Sequence, residues 1–286
     1  MRIPLPDNGA PMVHSLCTIA DHRVYDELVI MLKSISLFME LDLHVGGDRS
    51  VVERLPREKI RNRLRVHHFF PDGMQAEQGT PAFQQVVGRK ADILEIAIAE
   101  SGNGMFVDAD ELFFNPMWGI DFAGHDFTGH EVALSHHMIL PHEERKFGKY
   151  NAGYLGAATT RFTQWWREEM KTSAYYEQEC LNRAPRHFKT QEISIHHNFG
   201  WWRLNRCDPK QRWWRFDRPE NALSVRRRSA FSVQGDRILY EDAPLVSFHT
   251  HVKDRTTERY QVTNKLAVDL LTRSTSPKHK TILSWL

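Results

Sequence analysis

Cysteine is scarce in this 286-residue chain. Its three cysteines, Cys17, Cys180 and Cys207, are odd in number and scattered, which excludes a disulfide framework and a paired zinc-ligand spacing and fits a reducing compartment. Long apolar runs are absent too, and no stretch reaches the roughly 20 apolar residues needed to cross a bilayer. Met1 to Pro11 is polar and proline-bearing, with no basic stretch leading into an apolar one. The expectation is a soluble, cytoplasmic chain without a transmembrane segment, associated with a membrane at most peripherally. Charge of one sign is not in excess: 38 Lys and Arg against 36 Asp and Glu leave +2, so composition selects neither a nucleic acid nor an anionic membrane as partner. No internal repeat, low-complexity tract or long linker divides the chain, so it reads as one domain over 1–286.

What is present is an α/β pattern. From Val13 to about Phe114, short apolar runs alternate with amphipathic stretches, the signature of β-α-β units and a mostly parallel sheet flanked by helices. His14 to Ala20 reads as a strand, and Leu28, Leu32, Ile35 and Met39 then recur at helical spacing. Strands follow at Leu41 to Val45, closed by Gly46-Gly47-Asp48, and at Leu64 to Phe70, before a turn-rich segment from Pro71 to Pro81. Val87, Ala91, Leu94 and Ile98 mark a helix face, which Ser101-Gly102-Asn103-Gly104 stops. After Pro116 the alternation breaks down, apart from a helix from Arg161 to about Lys171. Val262, Leu266 and Leu270 then predict a C-terminal helix that packs back on the body. The chain thus divides into 12–116, 117–255 and a helical tail, 256–286.

The most informative junction is Met105-Phe106-Val107, a buried strand running straight into Asp108-Ala109-Asp110. Two carboxylates one residue apart suit a hard divalent cation that also bridges to phosphate oxygens. They sit beyond the carboxyl end of a strand, where open α/β sheets bind ligands. An Asp-x-Asp taken alone also ends strands and starts turns routinely.

The whole segment Met105 to Phe114 resembles the Asp-x-Asp (DXD) strand of the GT-A glycosyltransferases, especially the group containing glycogenin and the bacterial lipopolysaccharide galactosyltransferases. Lys90, eighteen residues ahead, sits where such enzymes often carry a basic residue that reaches the donor. Tyr150-Asn151-Ala152-Gly153 resembles their Phe/Tyr-Asn-x-Gly strand, which lines the donor sugar. Thr190-Gln191-Glu192 sits where the family often has Asp-Gln, and Val246-Ser247-Phe248-His249 where a late histidine completes the metal shell. The resemblance covers roughly 13–255 and implies a Rossmann-like GT-A fold, with 12–116 as the nucleotide and metal half and 117–255 as the donor-sugar and acceptor half. It also implies hexosyl transfer from a nucleotide sugar, with a UDP-linked donor, to a glycan, lipid or other hydroxyl acceptor.

This chain departs from the family in two places. His249-Thr250-His251-Val252-Lys253 lacks the glycine that usually follows the late histidine, so His249, delivered directly by a hydrophobic strand, is the favoured ligand and His251 the alternative. Gln191-Glu192 is not Asp-Gln, which leaves retention or inversion open. An imidazole among carboxylates favours Mn²⁺ over Mg²⁺. On this reading Asp108, Asp110 and His249 hold the metal, and Lys253 and Lys90 add positive charge at the diphosphate. Thr18, Ala20 and Asp21 meet the nucleotide, Asn151 and Gly153 meet the sugar, and Glu192 or Gln191 serves as base or faces the oxocarbenium ion.

Plainer readings stand beside these. Asp21 is equally placed to cap the following helix, Lys90 to be a solvated lysine, Asn151 and Gly153 to form a turn, and Trp201, Trp202, Trp213 and Trp214 to pack a core or lid instead of a sugar platform. The histidine pairs His67-His68, His136-His137 and His196-His197 carry no ligand spacing. Arginines interleaved with tryptophans from Trp201 to Arg228, ending in Arg226-Arg227-Arg228, also resemble a single-stranded nucleic-acid surface. The near-neutral charge favours an anionic acceptor instead, and no nucleic-acid partner is expected. A nucleotidyltransferase on a similar fold is the nearest enzymatic rival.

Overall fold

A computed structural model describes residues 13–72, 80–122, 129–137, 141–204 and 229–286. Cys207, Trp213, Trp214 and the basic residues from Arg206 to Arg228 lie outside the described residues, as does most of the turn-rich segment after Pro71.

The central sheet has seven strands in the order β3-β2-β1-β4-β7-β6-β8. They are β1 (Ser15–Ala20), β2 (Asp42–Gly47), β3 (Leu64–His68), β4 (Gly104–Val107), β6 (Val132–His136), β7 (Tyr150–Ala157) and β8 (Thr190–Ile193). Within this sheet β7 alone runs against its neighbours, so the mostly parallel arrangement expected from the alternating pattern is present. β1, β4 and β7 are buried at every position, which accounts for their near-continuous apolar sequence. The chain builds outward from β1 through β2 to β3 and then crosses to β4 on β1's other side. That reversal makes the β1/β4 boundary the topological switch point, where a crevice opens.

Helices α1 (Tyr25–Phe38), α2 (Arg49–Val52), α3 (Pro81–Ser101), α4 (Pro141–Phe147) and α5 (Thr160–Met170) connect the strands. In α1, Leu28, Met31, Leu32 and Ile35 are buried at helical spacing against one sheet face. α3 is capped by the Thr80 hydroxyl, which accepts from Phe83 N, with proline at its first turn, and packs with α5 on the opposite face. β2 runs two residues beyond the expected Val45, because Gly46 and Gly47 keep parallel register with Ile19 and Ala20. A side chain at Gly46 would meet the Phe69 ring at 2.6 Å, so glycine here marks a close approach, not a turn.

Two small sheets complete the fold. β5 (Glu111–Phe113), β13 (Ser247–His249) and β9 (Phe199–Gly200) form one, in the order β5-β13-β9; β10 (Phe231–Gln234), β11 (Arg237–Tyr240) and β12 (Ala243–Pro244) form the other. The tail, α6 (Glu258–Arg273) and α7 (Pro277–Leu283), packs back on the body, where His279 Nε2 lies 2.7 Å from the Phe114 carbonyl oxygen. No helix among the described residues is long and apolar enough to cross a membrane.

Candidate active site

The site forms where β4 leaves the central sheet and becomes β5. Asp108 N donates to Gly153 O at 2.8 Å, which ties the first aspartate to β7, and Thr250 N donates to Asp110 O at 2.9 Å, which ties the second to the end of β13. Antiparallel pairing of β5 with β13 sets His249 opposite Glu111. Three distant segments therefore converge, and Asp108, Asp110 and His249 each offer one ligand atom within 4.8 Å of the others. Gly153 makes room for this: a Cβ there would lie 2.1 Å from Asp108 Oδ2.

His249 is the pivot. Its Nε2 lies 3.3 Å from Asp110 Oδ2 and 3.9 Å from Asp108 Oδ2. Its Nδ1 faces Glu111 Oε1 at 3.2 Å and Asn198 Oδ1 at 3.3 Å. Glu111 is fully buried, and its other oxygen accepts from Ser247 Oγ at 2.5 Å. Burial alone would lower the His249 pKa, but the Asp110 and Glu111 carboxylates outweigh it and hold it well above the ordinary histidine value. Burial likewise pushes Asp110 up, and His249 and His251 override it, holding that carboxyl well below its usual range. The Trp202 ring packs edge-on against His249, with centroids 5.0 Å apart. Two carboxylates and an imidazole nitrogen on one side, with the second imidazole nitrogen held by a buried carboxylate, form a donor set that fits a divalent cation.

No protein-family profile matches the sequence, and no curated protein matches it. Solved structures do match by shape. The galactosyltransferase LgtC, in complex with donor and acceptor sugar analogues, aligns over 94% of this chain and 100% of its own at 15% identity, with a TM-score of 0.52. An active-site mutant of LgtC aligns over 90% and 96% at 13% identity, with the same TM-score of 0.52. Mouse xyloside xylosyltransferase 1 aligns over 85% and 99% at 11% identity, with a TM-score of 0.48. The chain has the GT-A glycosyltransferase fold.

Within this GT-A fold the other candidate residues fall at different distances from the cluster. Lys90 is buried, not solvated, and its Nζ bridges Asp108 Oδ1 at 3.0 Å and Glu177 Oε1 at 2.9 Å. Burial would lower its pKa, but the two carboxylates keep it raised. Asn151 lies inside β7, not in a turn, and its Oδ1 accepts from Gly153 N at 2.7 Å. His251 Nε2 is 3.4 Å from Asp110 Oδ2, and its ring packs on Tyr260. Thr18 is buried, and its hydroxyl has no partner among the described residues. Asp21 caps the short helical turn that follows, accepting from Arg23 N, and also pairs with the Arg23 guanidinium.

Three candidates are held elsewhere. Lys253 Nζ donates to the Trp285 carbonyl at 2.6 Å, so the structure turns it toward the C-terminus. Gln191 has both ends of its amide engaged, Nε2 on Gly119 O and Oε1 on Asp121 N. Glu192 is half exposed and pairs with Lys149 at 2.7 Å and His136 at 3.2 Å. Through Leu134 and Leu155 it stands three strand steps from Phe106 of β4, roughly 14 Å at ordinary strand spacing. The hydrogen bond from Lys149 is the main reason its pKa lies below the usual glutamate value.

Sequence reasoning missed Glu111, Asn198 and Glu177. Glu111 carried a signal: a charged residue opening the apolar run Leu112-Phe113-Phe114 must have a buried partner. Asn198 and Glu177 lie in irregular segments, where no periodicity marks a site.

Proposed function

We propose that this chain is a metal-dependent glycosyltransferase that moves a monosaccharide from a nucleoside diphosphate, with UDP the first to test, onto a hydroxyl of a glycan, lipid or other acceptor. The observation that carries the reading is the convergence of Asp108, Asp110 and His249 beside the switch point of a GT-A fold. Imidazole in the donor set favours Mn²⁺ over Mg²⁺. When bound, a divalent cation would supply Lewis-acid stabilisation of the departing diphosphate.

The chain's own residues do the rest. Lys90, buried and held charged, adds a fixed positive group on the donor side of Asp108. Thr18 and Asp21, at the end of β1, are assigned to the nucleoside. Asn151 keeps its Oδ1 on the strand backbone, so its Nδ2 is the group assigned to a sugar hydroxyl. Gln191 holds the 119–121 backbone as one wall of the acceptor side. Glu192, paired with Lys149 and His136, is assigned to the acceptor side, where it would orient a hydroxyl. His251 is assigned to steady Asp110.

The test is a panel of nucleotide sugars with Mn²⁺, read as binding and as slow release of the nucleoside diphosphate. Replacing both aspartates, Asp108→Asn with Asp110→Asn, is expected to abolish metal-dependent donor binding while leaving the circular dichroism spectrum intact. Manganese-dependent turnover by the double variant would contradict the proposal.

A further inference from the structure

A cavity of about 310 Å³ opens beside Asp108, walled by the end of β1, one face of α3 and the segment Tyr175 to Gln178. It is at the small end of ligand pockets and suits one sugar ring better than an oligosaccharide. Its charged groups are Lys90, Asp108 and Glu177. Glu177 is unexpected there. Its side chain is only 10% exposed, and Lys90 already has Asp108 at 3.0 Å, so Glu177 sets a second carboxylate against one lysine.

The backbone holds Glu177 at this place firmly. Tyr176, immediately before it, has φ 45°, in the left-handed region that non-glycine residues rarely occupy, and its ring packs edge-on against Phe83. The Glu177 carbonyl accepts from Trp166 Nε1 at 2.7 Å. Gln178 Nε2 donates to Phe147 O at 2.7 Å. A carboxylate that follows a left-handed residue and is flanked by fixed hydrogen bonds at the wall of a cavity is the pattern of a preorganised recognition element.

We propose that Glu177 is a specificity residue that reads hydroxyl groups of a neutral monosaccharide in this cavity. The proposal rests on the glycosyl-transfer reading above and deepens it by naming the donor class. A carboxylate oxygen accepts hydrogen bonds, and Lys90 holds Oε1 of Glu177, which leaves Oε2 as the oxygen assigned to the sugar. Oε2 therefore accepts hydrogen bonds from sugar hydroxyls. The same carboxylate repels an acidic sugar, so like charge disfavours uronate donors.

The experiment uses the full chain with Mn²⁺ and compares UDP-glucose, UDP-galactose and UDP-glucuronate as donors, reading kcat and KM for sugar release, with calorimetric binding of UDP alone as control. The unaltered chain is expected to favour a neutral hexose over the uronate by roughly a hundredfold or more. Glu177→Gln is expected to raise KM for that hexose by about tenfold or more and to narrow the discrimination, with UDP affinity unchanged. Glu177→Asp recovers part of the discrimination. Discrimination unmoved by Glu177→Gln, or UDP affinity falling in parallel with donor affinity, overturns the role of Glu177 while leaving the transferase reading in place. No turnover of any nucleotide sugar by the unaltered chain overturns both.

Discussion

Gly153→Ala is a one-carbon perturbation that separates the site from the fold. The new Cβ would lie 2.1 Å from Asp108 Oδ2 and 2.8 Å from both Asp108 Cγ and Asn151 Oδ1. Non-bonded carbon and oxygen need about 3 Å or more, so the carboxylate must retreat by about 1 Å. The backbone cannot share that movement, because Asp108 N is fixed on Gly153 O and β4 is paired on both sides. Side-chain rotation is the remaining route, and it takes Oδ2 out of its place near His249 Nε2. The obstruction meets the tip of a side chain and not the main chain, so the stability penalty falls at the low end of overpacking, about 1 kcal/mol. That corresponds to a fall in Tm of about 2 °C for a chain of this size. Metal binding suffers more, since ligand groups tolerate only about 0.5 Å of displacement. The expected outcome is a loss of Mn²⁺ affinity of at least about tenfold, or 1.4 kcal/mol, followed by the electron paramagnetic resonance signal of free Mn²⁺ during titration. A native spectrum and Mn²⁺ affinity within twofold of the unaltered chain would refute the reasoning.

Glu111→Gln keeps the shape of the group behind His249 but removes its charge, so Mn²⁺ affinity is expected to fall by about tenfold, as for other carboxylates that orient a metal-bound histidine; unchanged affinity in calorimetry counts against the assignment. Stability should also depend on pH through His44, whose ring stacks on His67 in the sheet. Burial, then the neighbouring His67, pushes its pKa down to about 4. The unfolded chain, titrating near the ordinary histidine value of 6.5, takes up that proton first. Stability is therefore flat above about pH 6.5 and falls as pH drops toward 4, by up to ~3 kcal/mol from this group. Urea unfolding at pH 5 and 7.5 measures the difference, and His44→Gln is expected to shrink it; His197, pushed by burial down to about 3, keeps it from vanishing. Equal stability of the unaltered chain at the two pH values contradicts the argument.

The first half was legible because β1 and β4 are buried at every position and its helices are amphipathic, so periodicity reports them directly. β1 and the helix read from Leu28, Leu32 and Ile35 fall where the pattern predicted. Asp108 and Asp110 stood out because an apolar strand ends on them. The antiparallel course of β7 and the pairing of β5 with β13 were not legible, since both depend on contacts between residues far apart in the chain. Lys253 illustrates the limit: the resemblance gave it positive charge to add at the diphosphate, while its Nζ donates to the Trp285 carbonyl, a contact invisible to local spacing. Asp21 does cap the following turn, because the Arg23 amide and guanidinium lie two residues away.

The bond between Ser247 and Glu111 joins residues 136 positions apart. During synthesis both aspartates emerge from the ribosome long before the imidazole that faces them, so an incomplete chain displays acidic groups without a finished cage. On the proposed reading, cation capture would be deferred until β13 slots in beside β5, and metal loading would report that the chain has been made and folded through residue 249.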